Sequence, residues 1–203
     1  MTPPTGADTT RERILTAATA EFARHGIAGA RVERIARAAR TSKERVYAHF
    51  ASKEALYAYV SAAELAAVAE ATRLDPADLP GYAGRVHDYF TAHPGRYRLM
   101  AWGQLELPDD ETPPDDPIRQ SVAGKVEQLR KAQESGQLDA AWNPLDILVL
   151  VNQIAMSWAA QPGLTPKGGG QQHDAFLAER RTAIVGAVQR LFPPAVSRAA
   201  SGH

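Results

Sequence analysis

The stretch TSKERVYAHFASKEAL, residues 41–56, contains two Ser-Lys-Glu triplets that lie ten residues apart. Serine is favoured as the capping residue at a helix N-terminus, and an acid in the first turn interacts favourably with the helix dipole. The stretch therefore predicts one helix that begins after Ser42 and a second that begins after Ser52. The first of these has room for about two turns, and so short a helix needs packing against its neighbours to be stable.

Two further helices are predicted before this stretch, because apolar residues recur there at steps of three and four. Helix 1 covers about residues 11–26 and ends at His25-Gly26, where glycine favours a helix stop. Helix 2 covers about residues 32–40, and the small Ala36 lies where it would cross helix 3. Two short amphipathic helices joined by a tight turn form a helix-turn-helix, whose second helix can enter the major groove of DNA.

Helix 3 carries hydrogen-bonding and aromatic side chains on the side that faces away from helix 1. Side chains of these types contact phosphates and base edges in protein–DNA complexes. The start of helix 4 adds free backbone N–H groups, which favour a bound phosphate. The candidate DNA-binding residues are Arg40, Lys43, Glu44, Arg45, Tyr47, His49 and Lys53.

Helical spacing continues through the remainder of the chain. Helix 4 is predicted from Lys53 to about Arg73, and further helices at about 80–93, 94–104, 117–134, 144–160 and 174–191. The proline- and acid-rich segment 107–117 and the glycine-rich segment 161–173 predict flexible connections. Since no strand-like alternation lasts, the predicted fold class is all-α with about nine helices.

These patterns also predict the domain organisation. A flexible arm is expected at 1–9, a three-helix DNA-binding domain with the helix-turn-helix at 10–55, a larger helical domain at 56–193 and a flexible tail at 194–203. Internal repeats are not visible in the sequence.

Charge is distributed unevenly along a chain that is neutral as a whole. Lys plus Arg equals Asp plus Glu at 23 each, but residues 1–60 carry a net charge of +4 and the rest −4. Such a split favours a protein that meets a polyanion with one end only. Without cysteine there are no disulfides or thiolate metal sites, and the longest apolar run, 147–151, is too short for a bilayer. We expect a soluble, cytoplasmic protein with no membrane partner.

The segment IARAARTSKERVYAHFASKEAL, residues 35–56, resembles the DNA-binding signature of the TetR (tetracycline-repressor-like) transcriptional regulators. The resemblance is strong over about residues 10–60 and loose beyond. It implies a homodimer that binds double-stranded operator DNA, dimerises through its last two helices and is released when a small effector moves helix 4. Carried onto this chain, it makes Tyr47 and Lys53 phosphate contacts and places Arg45 and His49 at or near base edges.

Three residues depart from that family pattern. Arg40 occupies a turn position that is usually glycine, and in a left-handed conformation it would cost about 1 kcal/mol over glycine, although it could also contact a phosphate. Ala30 stands where a threonine usually caps helix 2, and Glu44 would repel phosphate unless it accepts from a cytosine amine or caps locally. An alternative function is therefore a helical small-molecule-binding or dimerising protein whose DNA-binding module is degenerate.

Aromatic and polar residues in the larger domain suit either an effector pocket or an ordinary core. The candidate effector-binding residues are Phe90, Tyr97, Met100, Trp102, Gln104, Asn152, Met156 and Trp158.

Apolar residues on the last two helices suit either a four-helix bundle shared with a second subunit or burial within one chain. The candidate dimerisation residues are Leu148, Val151, Ile154, Ala183, Ile184, Ala187, Val188 and Leu191.

Enzymatic activity is not expected. The sequence contains no His-Glu-x-x-His or Glu-x-x-His metal spacing, no Gly-x-Ser-x-Gly and no phosphate-binding glycine loop. The acids in 109–116 lie in a proline-rich segment that offers no rigid cage for magnesium. We therefore predict no cofactor and no metal.

Overall fold

The computed structural model describes residues 6–107, 117–166 and 168–193, and within these ranges the chain forms nine α-helices and no β-strand. This confirms the predicted all-α class. The helices are α1 Gly6–Gly29, α2 Val32–Ala38, α3 Lys43–His49, α4 Lys53–Ala71, α5 Leu79–Ala92, α6 Pro94–Glu106, α7 Pro117–Glu134, α8 Pro144–Met156 and α9 Gln171–Leu191.

Some helix ends differ from the predicted ones. α1 begins at Gly6, within the predicted arm, because no proline follows Pro4 to prevent a helix there. α8 ends at Met156 instead of 160, since the Ser157 hydroxyl donates to the Ile154 carbonyl at 2.8 Å and competes with the helical pattern. Three predicted segments lie wholly or partly outside the described residues. These are residues 1–5 of the arm, residues 108–116 of the loop and the whole tail at 194–203.

The chain packs as two compact units, and it passes from one to the other within α4. The first unit contains α1, α2, α3, the part of α4 up to Ala67, and α6. The second contains residues 68–92 together with α7, α8 and α9. α6 thus packs with the N-terminal helices, whereas the sequence groups it with the larger domain; the boundary at 55/56 remains a prediction.

An apolar core holds the first unit together. The ring of Phe22 in α1 meets Tyr57 of α4 edge-to-face, with ring centres 5.2 Å apart. The Tyr57 hydroxyl donates to the Leu99 carbonyl of α6 at 2.9 Å, so the buried polar group is satisfied. Other buried members of this core are Ile14, Ala18, Val32, Ile35, Ala36, Ala39, Val46, Leu56 and Val60.

A break at Gly26 ends the main part of α1, as predicted. Gly26 has φ 71°, and the next turn leads into α2. Glu106 at the end of α6 accepts a hydrogen bond from the Ala28 backbone N–H at 2.7 Å. A side chain at Gly26 would overlap the Glu106 carboxylate and lie 3.1 Å from the Trp102 ring. The absence of a side chain therefore lets α6 approach this turn closely.

The N-terminus of α2 has no side-chain cap of its own, which agrees with the expectation from Ala30. The capping position is Arg31, one residue later, and its side chain makes no capping bond. Glu21 of α1 accepts instead from the Arg31 N–H at 2.9 Å and from Arg34 Nε at 2.7 Å. Burial raises the pKa of Glu21, but these hydrogen bonds from Arg34 and Arg31 outweigh it and hold the pKa below its usual value.

The turn between α2 and α3 uses a left-handed arginine. Arg40 has φ 53°, and no other non-glycine residue in the described ranges has a positive φ. The Thr41 N–H donates to the Ala36 carbonyl at 3.0 Å, and the Arg40 N–H donates to the Arg37 carbonyl at 3.1 Å. This pair of bonds is a Schellman motif, which requires the left-handed conformation at the position of Arg40. The predicted strain at Arg40 is therefore present.

The second unit is built on contacts of α5 with α8 and α9, and of α7 with α8. Arg181 of α9 pairs with Asp88 of α5 at 2.8 Å. Four residues predicted to form a subunit interface are instead 0–3% exposed within a single chain: Leu148, Val151, Ile184 and Val188. An apolar stripe does not reveal which helix covers it, and here the chain covers these four itself. The assignment of these four residues to dimerisation stays a prediction.

Replacing Arg40 by glycine should stabilise the protein by about 1 kcal/mol, because glycine adopts the left-handed conformation without a clash of its Cβ. Arg40→Ala is the matched control, since it removes the same guanidinium but keeps the strain. Chemical denaturation of both variants measures the difference. Equal stabilities of Arg40→Gly and Arg40→Ala would show that the turn stores no strain.

Gly26→Ala should destabilise the protein by about 2–4 kcal/mol, through the left-handed backbone and the overlap with Glu106. Gly29→Ala provides the control, because a Cβ there meets the His25 Cβ at an ordinary 3.5 Å. The melting temperatures of the two variants distinguish them. A Gly26→Ala protein as stable as Gly29→Ala would contradict the close fit of α6 against this turn.

Candidate nucleic-acid interface

Both serine caps predicted from the opening stretch are formed. Ser42 Oγ accepts from the Arg45 N–H at 3.2 Å at the start of α3. Ser52 Oγ accepts from the Ala55 N–H at 3.0 Å at the start of α4. These caps fix where α3 begins and where the chain turns into α4.

One buried residue sets the orientation of α3. Val46 is 1% exposed and joins the core of the first unit, while Tyr47 beside it is 42% exposed. Lys43, Glu44 and Arg45 are exposed, and His49 is half-buried. The exposed candidates on α3 therefore lie around the part of the helix that Val46 does not anchor to the core.

Tyr47 and Lys53 line the same open cleft, of about 420 Å³, between α3 and the start of α4. Arg31, Glu33, Ser52 and Glu54 also line it, so two carboxylates border the same cleft. Lys53 Nζ donates to the Ala28 carbonyl across a long 3.4 Å. A phosphate in this cleft would meet a hydroxyl, an ammonium group and the N–H groups of the first turn of α4.

The guanidinium groups of Arg40 and Arg45 make no hydrogen bond or ion pair with any described residue. Both residues are exposed. An unpaired, exposed guanidinium presents donors in a fork that fits a phosphate or the O6 and N7 atoms of guanine.

Lys43 is engaged within the protein. Its Nζ lies 2.5 Å from Glu33 Oε1 of α2 and 5.9 Å from the centre of the Tyr47 ring. The hydrogen bond between Lys43 and Glu33 raises the pKa of Lys43 and lowers the pKa of Glu33. Because both groups are exposed, solvent screens this pair and its contribution to stability is small.

Glu44 is exposed and lies in the first turn of α3, where Ser42 is the capping residue. Interactions with its own backbone N–H and with the Ser42 side chain lower the pKa of the Glu44 carboxyl. A carboxylate in the first turn interacts favourably with the helix dipole. The effect of Glu44 on a bound phosphate stays a prediction.

Arg11 was missed by the sequence analysis. Its Nη1 donates to the Tyr59 hydroxyl at 2.9 Å, and its guanidinium lies 4.2 Å from the centre of that ring and 5.5 Å from the centre of Phe50. It thereby ties the start of α1 to the residue that ends α3. No local spacing could reveal a pair that lies 48 residues apart.

The candidate effector residues fall in both units. Four of them lie on α6 in the first unit: Tyr97, Met100, Trp102 and Gln104. The other four lie in the second unit: Phe90, Asn152, Met156 and Trp158. A cavity of about 470 Å³ between α1, α4 and α6 is lined by none of them.

In the second unit, aromatic packing accounts for two of these candidates. Phe90 is buried and packs edge-to-face on Tyr89, and Trp158 packs in the same way on Phe176 at 5.5 Å. Asn152 differs, because its side chain accepts a hydrogen bond from the Tyr82 hydroxyl.

In the described part of the chain, no cluster of three His, Asp or Glu side chains could hold a metal ion. None of the helices in that part is long and apolar enough to span a membrane.

Two family models match the chain in separate parts. The model of bacterial regulatory proteins of the tetR family matches residues 14–60, which include α2, α3 and the start of α4. The model of the tetracyclin repressor-like C-terminal domain matches residues 78–190, more than half of the chain.

Two HTH-type transcriptional repressors are similar to the chain in sequence. The HTH-type transcriptional repressor SCO4008 of Streptomyces coelicolor is 40% identical over 152 residues, which cover 75% of this chain and 79% of that protein. The HTH-type transcriptional repressor NicS of Pseudomonas putida is 36% identical over 107 residues, or 49% of this chain and 50% of that protein.

Solved structures share the fold. SCO4942 from Streptomyces coelicolor, described as a transcriptional regulator, is 56% identical with a TM-score of 0.79, covering 91% of this chain and 98% of that one. TylP, a TetR regulator from Streptomyces fradiae, has a TM-score of 0.63 at 23% identity, covering 95% and 90%. Together with both family matches, these likenesses show that the chain belongs to the TetR family and is a DNA-binding transcriptional regulator.

Proposed function

We propose that the protein is a repressor that binds its operator as a homodimer and leaves it when a small molecule binds the second unit. The exposed surface of α3 and of the turns at its two ends carries this proposal, because Arg40 and Arg45 are exposed and unpaired, and Tyr47 and Lys53 line one cleft. Repression is supported by the relatives SCO4008 and NicS, both of which are named as repressors.

The contacts with DNA divide by chemistry. Tyr47 and Lys53 bind a phosphate in their shared cleft, and Arg40 binds a second phosphate at the turn. Arg45 reads a base edge from the first turn of α3, with His49 nearer its end. Lys43 joins them by exchanging Glu33 for a phosphate. Phosphate contacts fix the register of the helix in the groove, and base contacts supply the specificity.

The homodimer uses the exposed side of α8 together with α9. Leu145 and Val149 are 45% and 47% exposed and lie four residues apart, on one face of α8. From the predicted set, Ile154, Ala183, Ala187 and Leu191 keep some exposure and complete the proposed surface. A two-fold axis then repeats the reading helix, and the two copies bind half-sites about 34–36 Å apart.

Release follows from the course of α4, which begins beside the reading helix and ends in the second unit. An effector that binds better when α4 is displaced shifts the population toward a dimer whose reading helices no longer match the half-sites. The coupling is reciprocal, so operator DNA weakens effector binding by the same factor.

Removing the cleft residues should weaken operator binding. Lys53→Ala should lower affinity for all sequences alike and reduce the slope of log K against log salt by about 1.8, the loss of one phosphate contact in each of the two subunits. Tyr47→Ala should lower affinity about a hundredfold, the loss in each subunit of one hydrogen bond to a charged phosphate, worth about 1.5 kcal/mol. Fluorescence anisotropy with an operator selected from random duplexes measures both.

Lys131→Ala is the control for charge, because Lys131 is an exposed lysine in the second unit. Its salt slope should equal that of the unchanged protein. Unaltered affinity of both Tyr47→Ala and Lys53→Ala at fixed salt, or failure of the selection to enrich any palindrome, would count against this mode of DNA binding.

Val149→Asp should dissociate the dimer, since it places a charge on an apolar surface that the partner covers. Val122→Asp on α7 is the control, as Val122 is 37% exposed and lies outside the proposed surface. Sedimentation velocity at several protein concentrations gives the dissociation constants. A Val149→Asp protein that remains as dimeric as Val122→Asp would place the interface elsewhere.

A further inference from the structure

Lys125 of α7 is a half-buried cation without a counter-ion among the described residues. Its Nζ lies 3.4 Å from the Tyr82 hydroxyl of α5 and 5.6 Å from the centre of the Tyr82 ring. No described carboxylate lies within ion-pair distance. The sequence analysis missed this residue, although Lys125 stands four residues before the buried Leu129 on the inner face of α7.

Two other lysines of the chain have acidic partners. Lys43 pairs with Glu33, and Lys131 on the same helix as Lys125 pairs with Glu127, whereas Lys53 donates to the Ala28 carbonyl. Lys43 and Lys131 are both more exposed than Lys125. Burial lowers the pKa of Lys125, because no nearby negative charge offsets the loss of hydration. A half-buried charge without a partner is destabilising, so a partner from outside the described residues would stabilise it.

The neighbours of Lys125 are neutral and hydrogen-bonded to each other. The Tyr82 hydroxyl is buried and donates to Asn152 Oδ1 of α8 at 2.9 Å. The side-chain NH₂ of Asn152 has no partner among the described residues, and Asn152 is half-buried. Helices α5, α7 and α8 thus bring together one ammonium group and one amide donor, and no acid of the described residues lies within ion-pair distance of the ammonium group. This combination fits an anion.

We infer that Lys125 and Asn152 bind the acid group of the effector, with Tyr82 orienting the Asn152 amide through its hydroxyl, and that this effector is an organic monoanion such as a carboxylate. The single ammonium group neutralises one negative charge. A phosphate dianion would retain an unpaired charge, and a neutral ligand would leave Lys125 as it is. The Asn152 amide donates to the second oxygen. The inference rests on the proposed function in taking the bound molecule to be the effector.

The position of this cluster also connects it to α4. Tyr82 is followed one turn later on α5 by Arg85, whose Nη2 donates to the Arg73 carbonyl at 3.2 Å, just after α4 ends. Arg85 also lies 3.6 Å from Asp78 in the turn that precedes α5. A ligand that moves Tyr82 therefore acts on the residue that holds the end of α4.

Calorimetric titration of the full chain tests the subsite with two carboxylates, octanoate and benzoate, and with their neutral amides, octanamide and benzamide. Lys125→Met should weaken carboxylate binding about tenfold or more, as expected on losing a charge-assisted hydrogen bond. It should leave amide binding unchanged. Lys131→Met, which alters an exposed lysine of the same helix, should bind both classes like the unchanged protein.

Two results would overturn the inference: absence of binding of either carboxylate to the unchanged protein, or equal carboxylate affinity of Lys125→Met and Lys131→Met. A melting curve guards against misfolding. Lys125→Met should melt at the same temperature as the unchanged protein or higher, because methionine removes an uncompensated charge and keeps most of the volume. A marked fall in melting temperature would mean that Lys125 already has a partner, which also excludes the subsite.

The selected operator separates this inference from the proposed function. If carboxylates bind through Lys125 but leave operator affinity unchanged, the subsite stands and release by this ligand does not. If a neutral or cationic compound releases the operator equally from Lys125→Met and the unchanged protein, the anion subsite falls and ligand-controlled repression stands.

Discussion

The inward side chain of Val46 is the contact on which the DNA-binding surface depends. α3 is only seven residues long, so it cannot hold its own direction, and its single fully buried residue has to do so. Val46 is held by the same core that joins Phe22, Tyr57 and Leu99. Everything that α3 presents to DNA is therefore set by packing on its opposite side.

The turns around that core are specified by unfavourable residues that their surroundings tolerate. Arg40 adopts a left-handed conformation because the Schellman motif requires it, and the same placement leaves its guanidinium exposed and unpaired. α2 lacks a side-chain cap, and Glu21 from α1 supplies the missing acceptor. In both places the local sequence is unfavourable for the conformation that the backbone adopts. At α2 a tertiary contact compensates, and at Arg40 the strained turn exposes a free guanidinium.

The helix-turn-helix could be predicted because it depends on residues close together in the sequence. Other features could not, because they depend on contacts between residues far apart in the sequence. The caps at Ser42 and Ser52 and the stop at Gly26 depend on residues within one turn, so the sequence reveals them. The burial of Leu148 and Val188 within one chain depends on which helix covers an apolar stripe, which a stripe does not encode. Lys125 could not be predicted for a different reason. What sets it apart is that its described neighbours include no acidic partner, and a sequence motif cannot show that a counter-ion is missing.

The pair between Lys43 and Glu33 bears on how salt acts on the complex with DNA. When a lysine without an acidic partner binds a DNA phosphate, a counter-ion is released from the DNA, and the affinity falls as salt is added. In the proposed complex Lys43 exchanges one anionic partner for another, so its charge is already compensated before the encounter. Its contact with a phosphate then adds little to the dependence on ionic strength, which comes from the cations without an acidic partner: Arg40, Arg45 and Lys53.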